Sequence, residues 1–479
     1  MIVLDATVVN VALPAIQNDL GFSQSGLAWV VNAYLIAFGG LLLLAGRLGD
    51  LVSRRGVFLA GLALFTFASL ACGLADSQAV LIAARFVQGV GGALTSAVTL
   101  GMIVTMFPEP GERAKALGVY SFVASAGGSI GLLAGGVLTQ AVNWHWIFFV
   151  NIPIGVATAA FALRLLDRDR GIGFGRGADL AGAALVTGAL MLGVYTIVKP
   201  AAEYGWTAGP TLGSGAAAAA LLAGFVWREA TARNPLMPLR ILRSRTVAGA
   251  NAIQALTVAG MFGTFFLGAL YLQRVLGYDA LRTGAAFLPT TIVMGTLSLR
   301  YSQPLIMRFG ARTCLLPGLA LIATGLALFS RVPVDGSYLT DVLPAMILIG
   351  TGVGVCFPAL VTLAMSGATD SDAGLTSGLV NTTVQVGGAL GLAVLATLSA
   401  GRTAHVLTGG GPAAHALTSG YRLALLVGAG LVLAAIAVAL TTLRPTRPAA
   451  DASHPAAEAN CPAADANCPA AEACELVAA

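Results

Sequence analysis

The chain has 479 residues, of which 57% are hydrophobic and only 10% charged, with a mean hydropathy of +0.85. A soluble domain carries roughly 25% charged residues, so this composition excludes an ordinary water-soluble protein and predicts an all-α polytopic membrane protein embedded in the lipid bilayer. The net charge of +5 implies no nucleic-acid partner, because in such a chain the placement of Lys and Arg says more than their sum.

Apolar segments lie near 1–16, 27–46, 57–75, 79–106, 116–142, 145–165, 179–198, 208–228, 246–273, 280–301, 313–330, 339–365, 378–401 and 420–443, fourteen in all. The first spans about 24 Å at about 1.5 Å per residue, short for a core of about 30 Å. A truncated first helix is therefore expected, with the natural start upstream or removed. MIVLDATVVNVALPAI has no basic n-region and carries an acid at position 5, so it does not read as a cleavable signal peptide.

Alternate connections differ sharply in Lys and Arg. Nineteen of the 26 fall on the side that would hold both termini, six on the other, and Arg85 belongs to neither. The positive-inside rule then predicts cytoplasmic termini in a cell (plasma or inner) membrane. Basic stretches around 164–178 and 228–245 flank the seventh and eighth segments, which divides the chain into a six-helix half at 1–165, an inserted pair at 166–245 and a second six-helix half at 246–443. GRLGDLVSRRG after the second segment has a faded counterpart in PLIMRFGAR after the tenth. Paired six-helix halves are the plan of transporters with a midplane site between them.

Residues 444–479 are different. HPAAEAN, CPAADAN and CPAAEAC follow one another every seven residues, and a proline in each copy rules out a continuous helix, so a disordered low-complexity cytoplasmic tail is expected. Its Cys461, Cys468 and Cys474, like Cys72, Cys314 and Cys356 in the apolar segments, form no CxxC pair, and no metal site is read.

Arg85 is the anomaly within the apolar segments. On a helix it shares an arc of roughly 100° with Gln88, Gly89, Gly92, Ser96 and Thr99, and the remainder of that segment is apolar. Asp5 is the other ionisable group placed well inside the membrane, where each charge costs about 2.5–3.5 kcal/mol on insertion scales. Such groups need a partner, a wet cavity or a function. Axial arithmetic puts Asp5 roughly 17 Å and Arg85 roughly 10 Å below the same face, a gap that a long arginine spans. The pair reads as a proton-coupling element; a static ion pair fits the same residues.

Several motifs together carry a resemblance. LDATVVNVALP at 4–14, WVVNAYLIA at 29–37, GRLGDLVSRRG at 46–56, RFVQGVGGA at 85–93, GLLAGGVL at 131–138, WHWIFFVNIPIG at 144–155 and AGLTSGLVNTTVQVGGALG at 373–391 occur in the order found in one family. Over residues 1 to about 443 the chain resembles the fourteen-helix drug:proton antiporters of the major facilitator superfamily (EmrB/QacA type). The resemblance implies that fold, with two six-helix halves plus two inserted helices, a monomer, proton coupling at Asp5 and Arg85, and no cofactor beyond the proton gradient.

Three motifs depart from the family pattern. Ser53 and Arg54 end Asp50-Leu51-Val52-Ser53-Arg54 where Asp-Arg-x-Gly-Arg is usual, and serine tolerates positive φ less well than glycine, so a stiffer turn is expected. Leu132 follows Gly131 where proline is usual, which softens the antiport inference. His145 stands in place of arginine and puts a titratable group at the outer edge.

Asp50 and Arg54 are expected to latch one conformation at a cytoplasmic helix end, with Gly127, Gly131 and Gly135 letting another helix approach closely. An amphiphilic small molecule is the expected substrate. Its cavity would be lined by Tyr34, Gln88, Asn251, Gln254, Phe262, Phe265, Asn381 and Gln385, apolar walls with a few amides. Helix-packing hydrogen bonds explain the same amides equally well.

The leading expectation is an exporter of drugs, antibiotics or a metabolite in exchange for protons. A nutrient symporter or facilitator of the same fold is the alternative. An integral membrane enzyme is disfavoured, because His145, His405, His415 and His454 are scattered rather than converging. The chain has no GxxxxGK[ST] phosphate loop.

Overall fold

The computed structural model describes residues 1–23, 25–107, 127, 130–167, 169, 179–232, 244–365 and 373–443, with the isolated positions 109, 112 and 235. The expected tail at 444–479 lies outside them. Among the described residues all regular elements are helical. In the first half they are α1 (Ile2–Leu20), α2 (Ala28–Leu51), α3 (Arg54–Gly73), α4 (Gln78–Met106), α5 (Ile130–Ala141), α6 (Trp146–Phe149) and α7 (Asn151–Leu165). Then come α8 (Leu180–Val198), α9 (Pro200–Tyr204) and α10 (Gly209–Thr231). The second half contains α11 (Arg245–Arg274), α12 (Ala280–Thr296), α13 (Ser302–Phe309), α14 (Ala311–Phe329), α15 (Leu343–Met365), α16 (Ala373–Thr408) and α17 (Ala413–Thr442). π-helical turns precede α13 and α15.

Among the described residues, each apolar segment of the sequence has a helical counterpart, the fifth from Ile130 only. Eleven helices among the described residues are long and apolar enough to cross a membrane, with α6 and α7 acting as one and α15 extended by its π turn. The segments outside that set are α1, α5 and α12: α1 carries Asp5 and Asp19, α5 is described only from Ile130, and α12 has 17 residues.

Local chemistry sets the helix ends. Gly21 closes α1 in the left-handed region, φ 68°, where a side chain would be strained. Ser53, Asp179, Ser244 and Asp279 cap α3, α8, α11 and α12, each side chain accepting a backbone N–H of the first turn. Gly21 and Ser53 mark the two faces of the molecule, one at the end of α1 and the other at the start of α3.

Within lipid there is no hydrophobic drive between helices, so close packing of small residues takes its place. α5 shows it on two sides. A Cβ at Gly131 would strike Thr7 and the Leu4 carbonyl of α1, and one at Gly135 would lie 2.7 Å from the Val8 carbonyl. On its other side Gly136 abuts Ala280 and Leu281 of α12, and the Leu132 carbonyl lies against Gly284. Leu132, the residue in the proline position, thus sits where the two halves meet.

α8 packs against both halves. Its Thr187 fills the space beside Gly40 of α2, and Thr397 of α16 donates to the Ile197 carbonyl at 3.3 Å. α10 packs on α8 and leaves Leu212, Leu222, Val226 and Trp227 exposed, a lipid-compatible outer surface. Overpacking predicts that Gly135→Val costs about 1–3 kcal/mol, seen as a lower melting temperature in detergent. Gly193→Ala, which enters open space, should leave the melting temperature unchanged or slightly raised.

Candidate functional site

Six helical elements of the first half, α1, α2, α3, α4, α6 and α7, gather around one carboxylate. Asp5 in the first turn of α1 is wholly buried, and Arg85, two turns into α4, is 1% exposed. Arg85 Nη1 donates to Asp5 Oδ2 at 2.6 Å. Asp5 Oδ1 accepts from Gln88 Nε2 of α4 at 2.8 Å and from Asn151 Nδ2 of α7 at 2.9 Å. The cage continues outward. Gln88 Nε2 also donates to Ser69 Oγ of α3, Gln88 Oε1 accepts a second bond from Arg85 Nη1, and Arg85 Nε donates to the Val30 carbonyl of α2.

Aromatic faces cover the guanidinium. Its carbon lies 4.5 Å from the centre of the Tyr34 ring and 5.8 Å from that of Phe148 in α6, a cation–π arrangement strengthened by burial of all three side chains. Gly89 and Gly92 make room: a Cβ at either would press on the backbone or rings of Tyr34, Ala37 and Phe38 in α2. The spacing of RFVQGVGG therefore puts the arginine, the amide and two contact glycines on the face of α4 turned towards α2 and α1.

Three polar side chains near or within this layer are incompletely used. Asn151 Oδ1, the Tyr34 hydroxyl and both amide atoms of Asn32 are buried without a hydrogen-bond partner. Buried orphans of this kind mark a site that is completed by a water, a proton or another conformation.

The expected cavity residues divide. Tyr34 and Gln88 belong to the ion-pair layer, and the Gln88 amide is committed there rather than turned towards a substrate cavity. Asn251 of α11 donates to the Val247 carbonyl and accepts from Thr383 of α16 at 3.0 Å. Phe262 lies against Gly388 of α16, and Phe265 packs on Phe287 of α12 with ring centres 5.5 Å apart. Gln254 is buried with Oε1 unpartnered, Gln385 is half-buried beside Gly39 of α2, and Asn381 is exposed.

At the expected latch, the Asp50 side chain lies outside the described residues. The turn itself differs from expectation. Ser53 has φ 179°, an extended backbone open to any residue, so serine in place of glycine brings no strain there. The Asp169 carboxylate, beyond α7, holds this turn, accepting from Ser53 Oγ and the Arg54 N–H at 2.6 Å each and from the Arg55 N–H at 3.2 Å. Arg55 also donates to the Leu163 carbonyl. Burial alone would raise the Asp169 pKa; the bonds from Ser53, Arg54 and Arg55 outweigh it and hold the carboxyl below the usual range.

Hydrogen bonds between the halves, among the described residues, lie towards the Gly21 face. Gln273 Nε2 donates to the Val11 carbonyl, Arg274 Nη2 to Asn18 Oδ1, and the Leu281 N–H to Gln140 Oε1. Gly127 joins Gly131 and Gly135 in facing α1, though more loosely, with 3.6 Å to Val3 from an added Cβ.

Sequence reasoning singled out Asp5, Arg85 and Gln88 but not Asn151, Ser69, Asp169, Gln273 or Arg274. For Asn151 a signal existed: it is an amide in the otherwise apolar run WIFFVNIPIG.

Residues 1–392 match the Major Facilitator Superfamily. The chain belongs to that superfamily. It is 40% identical to the puromycin resistance protein pur8 of Streptomyces alboniger over 409 residues, covering 85% of this chain and 81% of that one. It is also 40% identical to the cephamycin export protein CmcT of Amycolatopsis lactamdurans, covering 84% and 83%. Among solved structures, a bacterial homologue of the human lysosomal transporter Spinster, in its inward-facing and unoccupied conformation, superposes with a TM-score of 0.65 at 17% identity, covering 92% and 94%. The chain is thus a multi-pass member of a transporter superfamily, not of an enzyme family, and its relatives are antibiotic resistance and export proteins.

Two predictions follow from the site. Asn151→Leu removes one of three donors to a buried carboxylate and should cost about 1–3 kcal/mol, measured by thermal unfolding in detergent. For Asp169, a depressed folded-state pKa means that its contribution is present above the unfolded value of about 3.9 and is lost as pH falls through the folded value. Asp169→Asn should therefore lower the melting temperature at pH 7, with the difference from the parent closing as the pH is taken below about 4.

Proposed function

We propose that this superfamily member is a proton-driven exporter of amphiphilic small molecules, a fourteen-crossing antiporter working as a monomer by alternating access, with both termini cytoplasmic. The observation that carries the reading is the buried Asp5–Arg85 pair in its cage of amides, built entirely within one half of the molecule. The names of the relatives support export, and the basic residues on the Ser53 face support the orientation.

The chemistry follows from desolvation. While Arg85 and Asp5 touch, their charges cancel. If rocking of the halves draws them apart, an unpaired carboxylate in a low-dielectric interior is neutralised by a proton at far less cost than burial as an anion. Uptake and release then follow conformation. Asn151 Oδ1, unpartnered in the present arrangement, is the acceptor that a protonated Asp5 could bond.

One proton moving inward at about 100 mV and one pH unit supplies roughly 3.7 kcal/mol, enough for a solute gradient of roughly 500-fold without ATP. The same fold could run as a symporter or facilitator, a reading favoured by Leu132 in the proline position.

Inverted vesicles carrying the chain decide between these. Acidifying the lumen should drive uptake of puromycin, a cephamycin or a cationic dye, and collapsing the pH gradient should stop it. No acid-driven uptake of any amphiphile would remove the exporter reading. Asp5→Asn/Arg85→Gln replaces both charges by neutral side chains that can still hydrogen-bond, and should keep the protein folded but abolish acid-driven accumulation. Normal accumulation by that variant would leave the pair a structural one.

A further inference from the structure

A concavity lies apart from the ion-pair layer, on the Gly21 face, where α1 and α3 end and α6 begins. It has a volume of about 590 Å³, within the range that holds a drug-sized molecule. Its walls are of two kinds. Trp146 and Phe149 form an edge-to-face pair with centres 5.7 Å apart, Phe149 packed on Gly73, and Leu74 adds exposed apolar surface. Asp19 from the end of α1 and Asp76 from the α3–α4 turn place two carboxylates in the same lining, and neither has a cationic partner among the described residues. His145, half-buried, completes the lining, its ring stacked on Trp144 at 3.8 Å. Trp144 in turn donates to Asp19 Oδ2 at 2.9 Å, which fixes that carboxylate at the rim.

We propose that this cavity is a binding site for an organic ammonium or phosphonium cation, distinct from any site between the halves. The aromatic pair offers π faces to an alkyl or aryl cation, and the two carboxylates supply the opposite charge. An inorganic cation would want converging oxygen ligands, whereas here the two carboxylates share the lining with Trp146, Phe149 and Leu74. Position gives the site a consequence. α6 follows His145 directly, and within seven residues the chain supplies Phe148 over Arg85 and Asn151 to Asp5. A cation held here therefore sits at the root of the segment that cages the ion pair.

The binding claim does not depend on proton coupling or export, so its test is a binding measurement. The full chain in phosphatidylglycerol nanodiscs is titrated with radiolabelled tetraphenylphosphonium by equilibrium dialysis. A class of sites weakened at least tenfold in Asp19→Asn/Asp76→Asn, and again in Trp146→Ala, but kept in Asp5→Asn/Arg85→Gln, is expected. Melting temperatures of the rim variants should match the parent. Unchanged titration curves in both rim variants would overturn the proposal, as would a loss of binding that only accompanies unfolding. Adding phosphatidylethanolamine distinguishes the source of the cation: competition assigns the site to a lipid headgroup ammonium, no competition to a free organic cation.

Discussion

The structure depends on the burial of one ion pair. An aspartate and an arginine placed in the apolar interior cost several kcal/mol each unless they meet, and their mutual attraction recovers this only when the remaining hydrogen-bonding capacity is filled. That condition explains the company they keep. Gln88, Asn151, Ser69 and the Val30 carbonyl complete the pair, and the Tyr34 and Phe148 rings shield it. Because these groups come from α1, α2, α3, α4, α6 and α7, satisfying one carboxylate fixes the mutual positions of most of the first half.

Around this polar centre, adhesion is steric. Helices in lipid gain little from being apolar, so backbone approach through glycine decides which surfaces pair. Gly131 and Gly135 seat α5 on α1, whereas Gly136 and Gly284 seat it against α12. One helix thereby belongs to the first half on one side and to the junction on the other. The polar bonds across the junction are few and gather towards the Gly21 face. A junction built that way can open by exchanging a handful of hydrogen bonds, one of which, Gln273 to the Val11 carbonyl, is made to the helix that carries Asp5.

α8 adds a different constraint. It touches α2 through Gly40 and α16 through Thr397 and thus spans the seam between halves on one side. Motion of the halves must shear past this helix or carry it along. At the Ser53 face, Asp169 binds the turn before α3 through three donors, so the chain just beyond α7 is tied back to the α2–α3 turn.

The sequence by itself determined the class, because no arrangement other than membrane-spanning helices suits a chain with so few charges and such long apolar runs. It also exposed Asp5 and Arg85, since a charge in lipid is conspicuous in one dimension, and it placed Gln88 and the α5 glycines on the right helix faces through the 3.6-residue period. The tertiary structure alone decided what those faces meet. Gln88, polar and on the expected face, turned out to be committed to Asp5 rather than open to a substrate, because hydrogen-bond partners come from helices distant in sequence. Asn151 and Asp169 act 146 and 116 residues away from the groups they hold. Ser53 made the same point about backbone: a residue type suggested strain, and an extended φ removed it. Periodicity reports which way a side chain points along its own helix; only packing reports what is waiting there.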